Sequence, residues 1–156
     1  MLSSALSGLA NGQTAGGFSF AAEPGPSPSL IVAVGGDYQQ PDSQTSTASS
    51  CRWKEDGLSS IYRCEAAATF PHGFRSSVAY DPTTKTWITV GPNGTDISTD
   101  DGRNWRALKP TPVEPADADR NWNALSLPFV VGPHGRIGKL HPEALVTATA
   151  AKGTKP

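Results

Sequence analysis

Two segments of this chain repeat one another at an offset of 41 residues, counted from Val90 to Val131. TVGPNG at Thr89–Gly94 matches VVGPHG at Val130–Gly135, and VAVGG at Val32–Gly36 is a weaker third copy. An apolar run precedes each copy: FSFAA, SSVAY and NALSL. A repeating unit of this length cannot bury both of its faces alone, so the repeat predicts several small units that stack on one another.

The composition favours strands over helices. The chain has 16 Gly and 14 Pro, and only 17% of its residues are charged. Gly and Pro break helices and separate short strands, and the connectors DPTTK, PNG, DDG and PHG have the chemistry of tight turns. Nine apolar runs have the length of ordinary strands. They are Gly17–Ala22, Ser29–Gly36, Phe74–Tyr80, Thr86–Gly91, Thr95–Thr99, Asn104–Leu108, Asn121–Leu127, Phe129–Gly132 and Arg136–Leu140.

The best-preserved unit divides into four strands, RSSVAY, TWITVG, TDIST and NWRAL. Four strands in about 35 residues is the size of one β-propeller blade. The next unit contains WNALSL, FVVG and RIGKL and lacks a fourth strand. We therefore predict an all-β fold, a partial β-propeller of about two to three four-stranded antiparallel blades. The blades occupy residues 17–140, and residues 1–16 and 141–156 are predicted to be flexible tails because they contain few large apolar side chains.

One octet, Ser98–Trp105, fits the pattern S-x-D-x-G-x-x-W and predicts a self-contained hairpin turn. Asp100 can accept backbone N–H groups within the turn. Gly102 can adopt the left-handed conformation that the turn requires. Trp105 can fold back and bury its ring, and the hydroxyl of Ser98 can cap the other side. The motif therefore predicts architecture, because its carboxylate and hydroxyl are occupied by the turn.

This octet resembles the Asp-box, or BNR repeat, of sialidases and related β-propellers. Further segments resemble the C-terminal blades of the photosystem II stability/assembly factor family: VGGDY (Val34–Tyr38), GFRSSVAY (Gly73–Tyr80), VGPNGTDISTDDGRNW (Val90–Trp105) and VGPHGRI (Val131–Ile137). The resemblance covers residues 17–140 and implies a closed propeller of about six or seven blades. It implies that the chain is a fragment of a longer propeller or a truncated product.

Arg75 is the candidate binding residue. It opens the first strand of a blade, where an arginine can bind a carboxylate or phosphate through two parallel hydrogen bonds. Sialidases use arginines on such strands, but as a set of three. The alternative is that Arg75 pairs with an acidic neighbour such as Asp81 or Asp96. Tyr38, beside Asp37, can be compared with a sialidase nucleophile, although a surface role is expected for both.

Cys51 and Cys64 are the two cysteines, with 12 residues between them. A disulfide between them would contribute roughly 3 kcal/mol, and two ordinary half-buried thiols are the alternative. The spacing fits no zinc pattern, and the three histidines, His72, His134 and His141, are not placed to converge on a metal. We expect no metal, no cofactor and no catalytic residue.

The charge pattern excludes some classes of partner. The net charge is -1, with 13 Lys and Arg against 14 Asp and Glu, and no basic stripe suggests a nucleic-acid partner. No apolar run approaches the ~20 residues of a membrane-spanning helix. The N-terminal segment lacks the basic start and apolar block of a signal peptide, and the compartment stays open.

Three functional hypotheses follow from the sequence and the resemblance. The first is a non-catalytic scaffold that binds a protein partner, and that needs missing blades or self-association. The second is the remnant of a sialidase-like glycoside hydrolase. The third is a truncated product without function. A hydrolase would need an arginine cluster, a Tyr–Glu pair and a general acid in one pocket, and the sequence offers only scattered candidates.

Overall fold

The computed structural model describes residues 17–25, 29–56 and 59–145. At residues 55–56 and 59–61 it describes the main chain only. The predicted tail at residues 1–16 lies outside the described residues, as do residues 146–156 of the predicted C-terminal tail. None of the helices in the described part of the chain is long and apolar enough to cross a membrane.

The described residues form three antiparallel sheets, each built from strands that follow one another in sequence. The first sheet contains β1 (Ser19–Ala22), β2 (Leu30–Val34), β3 (Ala48–Asp56) and β4 (Ser59–Ala66). The second contains β5 (Ser77–Asp81), β6 (Thr86–Gly91), β7 (Gly94–Ser98) and β8 (Arg106–Ala107). The third contains β9 (Ala124–Ser126), β10 (Phe129–Val131) and β11 (Ile137–Lys139). The prediction of an all-β chain is confirmed.

The turns between strands use the residues that the sequence places there. The carboxylate of Asp81 accepts hydrogen bonds from the Thr83 N–H (3.1 Å) and the Thr84 hydroxyl (2.6 Å), which close the turn from β5 to β6. The turn from β10 to β11 is a 3₁₀ turn at Pro133–Gly135, in which His134 has φ +56. Each turn returns the chain to the neighbouring strand of the same sheet.

The three sheets stack in chain order, with their first strands side by side. β1 lies next to β5, and β5 lies next to β9. The core between the first and second sheets contains Leu30, Val32, Val34, Ala48, Ala67, Val78, Trp87 and Trp105. The core between the second and third sheets is divided into two clusters, one around Ile88, Ile97 and Leu145 and the other around Val90, Trp122 and Val130.

A main-chain hydrogen bond recurs at both junctions between sheets. The N–H of Arg75 donates to the carbonyl of Gly35 (3.0 Å), which joins the second sheet to the first. The N–H of Trp122 donates to the carbonyl of Gly91 (3.3 Å), which joins the third sheet to the second. Gly35 and Gly91 are equivalent glycines of the sequence repeat, so the repeat marks the point at which one sheet meets the next.

A second hydrogen bond recurs beside the first. The Oγ of Ser19 accepts from the N–H of Val78 (3.4 Å), and the Oγ of Ser77 accepts from the N–H of Leu125 (3.2 Å). Ser19 and Ser77 hold the same place in their sheets, since each pairs with the valine that precedes the repeated glycine. Successive first strands are therefore held at the same relative position at both junctions.

The repeated glycines are required by close approach of the backbone. A Cβ on Gly91 would lie 2.3 Å from a main-chain oxygen, closer than real Cβ atoms come to such an atom. The same holds at the other two copies of the repeat. An added Cβ would lie 2.6 Å from the Gly17 oxygen at Gly35, 2.3 Å from the Phe74 oxygen at Gly91, and 2.4 Å from the Asn121 oxygen at Gly132.

The packed part of the chain reaches beyond the predicted boundary at Leu140. Residues 142–145 form a helical turn, and Leu145 is 2% exposed. Leu145 packs with Ile88 and Ile97 of the second sheet. The segment that we predict to be a flexible tail therefore contributes to the core at its start.

Candidate functional site

Arg75, the candidate binding residue, lies just before β5 with no exposed side-chain surface. Its Nε donates to Oδ2 of Asp96 (2.8 Å), and one terminal nitrogen donates to the same oxygen. The other terminal nitrogen donates to the carbonyl of Phe74 (3.0 Å) and to Oδ1 of Asn93 (2.6 Å). The sequence leaves two roles open for Arg75, binding a ligand or pairing with an acidic neighbour. In the structure, Arg75 forms an ion pair with Asp96.

Asp96, at the middle of β7, is fully buried and is the acceptor around which this site is built. Besides Arg75, its carboxylate accepts from the main-chain N–H of His72 (3.3 Å) and lies 2.5 Å from Nδ1 of the His72 ring. A buried carboxylate needs such compensation, because an unpaired buried charge is costly. The Arg75 guanidinium supplies the opposite charge, and the two His72 nitrogens satisfy the remaining acceptor positions.

His72 is the exposed member of this cluster, with 52% of its side chain in contact with solvent. When Nδ1 donates to the carboxylate, the ring is held in one orientation. Nucleophilic catalysis would also need a hydroxyl or thiol bonded to the ring. Within the described ranges of the chain, no serine, threonine or cysteine side chain makes such a bond to His72. The arrangement orients an imidazole at the surface and does not form a catalytic triad.

Asn93 ties this cluster to the first sheet. Its amide nitrogen donates to the carbonyls of Pro41 (2.9 Å) and His72 (2.7 Å) and lies 3.0 Å from Oδ1 of Asp42. Its amide oxygen accepts from Arg75. Asn93 is the turn residue of the second repeat copy, so the PNG turn has a packing role in addition to reversing the chain.

Asp81, the other acidic neighbour considered for Arg75, has a different role. Its carboxylate closes the β5–β6 turn through Thr83 and Thr84. Burial alone would raise the pKa of Asp81, but the hydrogen bonds from Thr84 and Thr83 outweigh burial and lower its pKa below the ordinary value of 3.8. Asp81 is therefore a turn residue.

The octet Ser98–Trp105 forms the turn between β7 and β8. The Ser98 hydroxyl donates to Oδ1 of Asp100 (2.9 Å) and accepts from the N–H of Gly102 (3.1 Å), and Gly102 has φ +75. The Asp100 carboxylate also accepts from the N–H of Asn104 (3.0 Å) and from its amide side chain (2.8 Å). The indole N–H of Trp105 donates to the Gly102 carbonyl (2.9 Å). All four signature residues act within the turn.

This turn also packs against the first sheet. Trp105 is 3% exposed and belongs to the core between the first two sheets. A Cβ on Gly102 would lie 2.9 Å from a methyl group of Val32. On the outside, the Arg52 guanidinium and the Asp101 carboxylate form an ion pair at 2.7 Å. The turn therefore contributes to the junction between sheets.

Cys51 and Cys64 form a disulfide in the structure. They face each other directly in the register of β3 and β4. Trp53 and Tyr62 pair two positions further along the same hairpin, with their ring centroids 4.9 Å apart. The disulfide therefore fixes the register of the longest hairpin in the described chain.

The remaining candidates do not converge. Tyr38 is 56% exposed, and Asp37 accepts hydrogen bonds from its neighbours Gln39 and Gln40. His134 lies in the 3₁₀ turn of the third sheet, remote in sequence from both. Among the described residues, no group of three or more His, Cys, Asp or Glu side chains is placed to hold a metal ion.

A cavity of 280 Å³ lies between the second and third sheets. Its walls include Ile88, Val90, Leu125 and Val130, which are aliphatic. At its edge the Lys109 ammonium is paired with the Asp119 carboxylate at 3.2 Å. Its lining combines these aliphatic side chains with charged ones, which include Glu114, Arg136 and Lys139.

Comparison of the chain with protein-family models, curated proteins and solved structures gives no match. The sequence alone points to Arg75, with Asp96 as one possible partner, and does not predict that His72 joins them. His72 lies in the loop before β5, and Asp96 lies on β7. Their contact depends on how β5, β6 and β7 pair, which the sequence alone does not reveal.

Proposed function

We propose that this chain is part of a β-propeller of the Asp-box type and acts as a non-catalytic scaffold for protein binding. Three features support the propeller arrangement. The sheets are small and antiparallel, their first strands lie side by side, and the same two hydrogen bonds recur at each junction. Radial repetition of small sheets is the way in which propellers bury their faces.

The observation that carries the non-catalytic assignment is the burial of the Arg75–Asp96 pair. A sialidase-like site uses arginines that reach the substrate carboxylate, whereas Arg75 has no exposed side-chain surface and already binds a carboxylate of its own chain. Asp100, the carboxylate of the clearest motif, is bonded within its turn. These charged side chains stabilise the sheets and are not available for chemistry.

The experiment is a hydrolysis assay of the purified chain with a fluorogenic sialoside, together with the Tyr38→Phe variant. We expect no release of fluorophore above the buffer rate for either protein. Hydrolysis by the wild-type chain that is lost in Tyr38→Phe would overturn the proposal in favour of a hydrolase. An NMR titration with sialic acid provides an independent measurement, and we expect no shift of the Arg75 side-chain signals.

A further inference from the structure

The stack of sheets ends on one side in an exposed apolar face on β1. Along β1, Ala21 packs into the core toward the second sheet, so the alternate residues point away from it. Phe18 is 60% exposed and Phe20 is 67% exposed. Two exposed phenylalanines next to one another on a sheet face are a marker of an interaction surface. We name Phe18 and Phe20 the leading face.

The other end of the stack has an apolar face as well. In the third sheet Val130 packs against Trp122 and Val90, and the residues beside it point outward. Val131 pairs with Ile137 in the register, and these side chains are 42% and 71% exposed, while Phe129 is 54% exposed. We name Phe129, Val131 and Ile137 the trailing face.

The Phe20 position of the leading face is covered wherever a described sheet precedes it. Ser19 pairs with Val34 as Ser77 pairs with Val90, so Phe20 holds the place of Val78. Val78 is 5% exposed, compared with 67% for Phe20. At the next junction the same place is held by Leu125, which is partly buried against the core between the second and third sheets. Among the described residues, the leading face is therefore a sheet junction to which no preceding sheet is joined.

Within the described part of the chain, the trailing face is a junction to which no following sheet is joined. Gly132 is the third repeated glycine, in the place of Gly35 and Gly91, whose carbonyls accept from the next sheet. Among the described residues, no N–H group donates to the Gly132 carbonyl. The trailing face thus presents the acceptor and the apolar surface that a following first strand would contact.

We infer that the trailing face of one copy of this chain binds the leading face of a second copy, and that the two copies close on each other. The inference rests on the proposed propeller arrangement. The contact repeats an interface that the chain already forms twice internally, and it places three sheets of one copy beside three of the other. Because propellers typically have about 4–8 blades, a closed ring of two such copies falls within the range that the fold allows.

The two faces are different, so the contact is heterologous, and two identical contacts close the ring. Each copy contributes its leading face to one contact and its trailing face to the other. A charge on either face therefore disrupts both contacts in a dimer of identical variants. In a mixed dimer, opposite charges on the two faces meet at one contact and leave the other contact wild type.

The test measures molar mass by light scattering across a concentration series, with circular dichroism to verify folding. We expect the wild-type chain to reach twice its 16.3 kDa and to dissociate on dilution. Phe20→Glu and Ile137→Lys should each have the mass of one chain, and an equimolar mixture of them should recover the doubled mass. The control Val113→Glu, at a position that is 93% exposed and outside both faces, should behave as wild type.

Several results would overturn the inference. They are a wild-type chain that is monomeric at every concentration, single variants that remain dimeric, a mixture that stays monomeric, and assemblies that grow beyond two copies. If either variant loses its strand signal, Phe18→Glu and Val131→Lys replace the pair with the same expectations. The sialoside assay is independent of mass, so failure of dimerisation and failure of the non-catalytic assignment are separate outcomes.

Discussion

The Arg75 guanidinium and the Asp96 carboxylate form an ion pair in which neither side chain has exposed surface. Removing one partner from such a pair leaves an uncompensated buried charge, at a cost of about 3–5 kcal/mol. We therefore expect Arg75→Met to lower the free energy of unfolding by about that amount, measured by urea denaturation.

The control for this prediction is Arg103→Met, which changes an exposed arginine and should shift stability by less than about 0.5 kcal/mol. The double variant Arg75→Met/Asp96→Leu should recover much of the loss, because neither charge is then buried alone. An Arg75→Met protein as stable as wild type would contradict a structural role for the pair.

The junction glycine Gly91 gives a second prediction. Gly91→Ala would place a Cβ 2.3 Å from the Phe74 carbonyl oxygen, so the start of β5 must move. Overpacking of this kind costs typically about 1–3 kcal/mol, and we expect Gly91→Ala to be destabilised within that range. Gly17→Ala is the matched control, because its Cβ would meet two Phe74 ring carbons at the ordinary contact distances of 3.8 and 4.0 Å. Equal stability of the two variants would argue against the close sheet contact.

The disulfide gives a third prediction. Linking Cys51 to Cys64 closes a short loop of the unfolded chain, and the loop-closure estimate for a bond of this kind is about 3 kcal/mol. We expect the double variant Cys51→Ala/Cys64→Ala to unfold at lower urea than the oxidised chain, by up to that amount. Thiol titration of the oxidised, denatured protein should detect no free thiol, and two reactive thiols would contradict the pairing.

The turn carboxylate of Asp81 gives a pH dependence. Burial tends to raise its pKa, but hydrogen bonds from Thr84 and Thr83 lower it below 3.8. Because the folded pKa is depressed, this stabilisation is fully present above 3.8 and is lost as the pH falls through the lower folded value. The stability difference between wild type and Asp81→Asn should therefore shrink as the pH falls below 3.8.

Urea titrations at a series of pH values measure this difference, with Glu65→Gln as the control for loss of an exposed carboxylate. If the stability difference between wild type and Asp81→Asn stays constant or grows as the pH falls, the prediction that the ionised Asp81 carboxylate stabilises the folded state is wrong.

The sequence predicts the second sheet well because each signal there is local. Strands and turns alternate within a few residues: Asn93 and Gly102 lie in turns, and Asp81 ends β5 and closes the turn that follows. The repeat is also informative, since all three of its copies lie at the end of the second strand of a sheet. The reason is steric, because only glycine permits the approach of the opposing carbonyl.

The parts that the sequence does not predict depend on contacts between distant residues. β3 and β4 form a long hairpin, but their polar sequences contain no apolar run to mark them. The burial of Leu145 depends on its packing against Ile88 and Ile97, which become neighbours only when β6 pairs with β7. The Arg75–Asp96–His72 cluster likewise requires the register of β5 to β7, because no motif joins these residues.

The three sheets stack through a repeated main-chain contact, and amide hydrogen exchange by NMR measures that contact directly. The N–H groups of Arg75 and Trp122 donate to the neighbouring sheet and should exchange as slowly as that of Ile88 within β6. The N–H of Val113, which is 93% exposed, should exchange quickly. Exchange of Arg75 and Trp122 at the rate of Val113 would contradict the stacked arrangement.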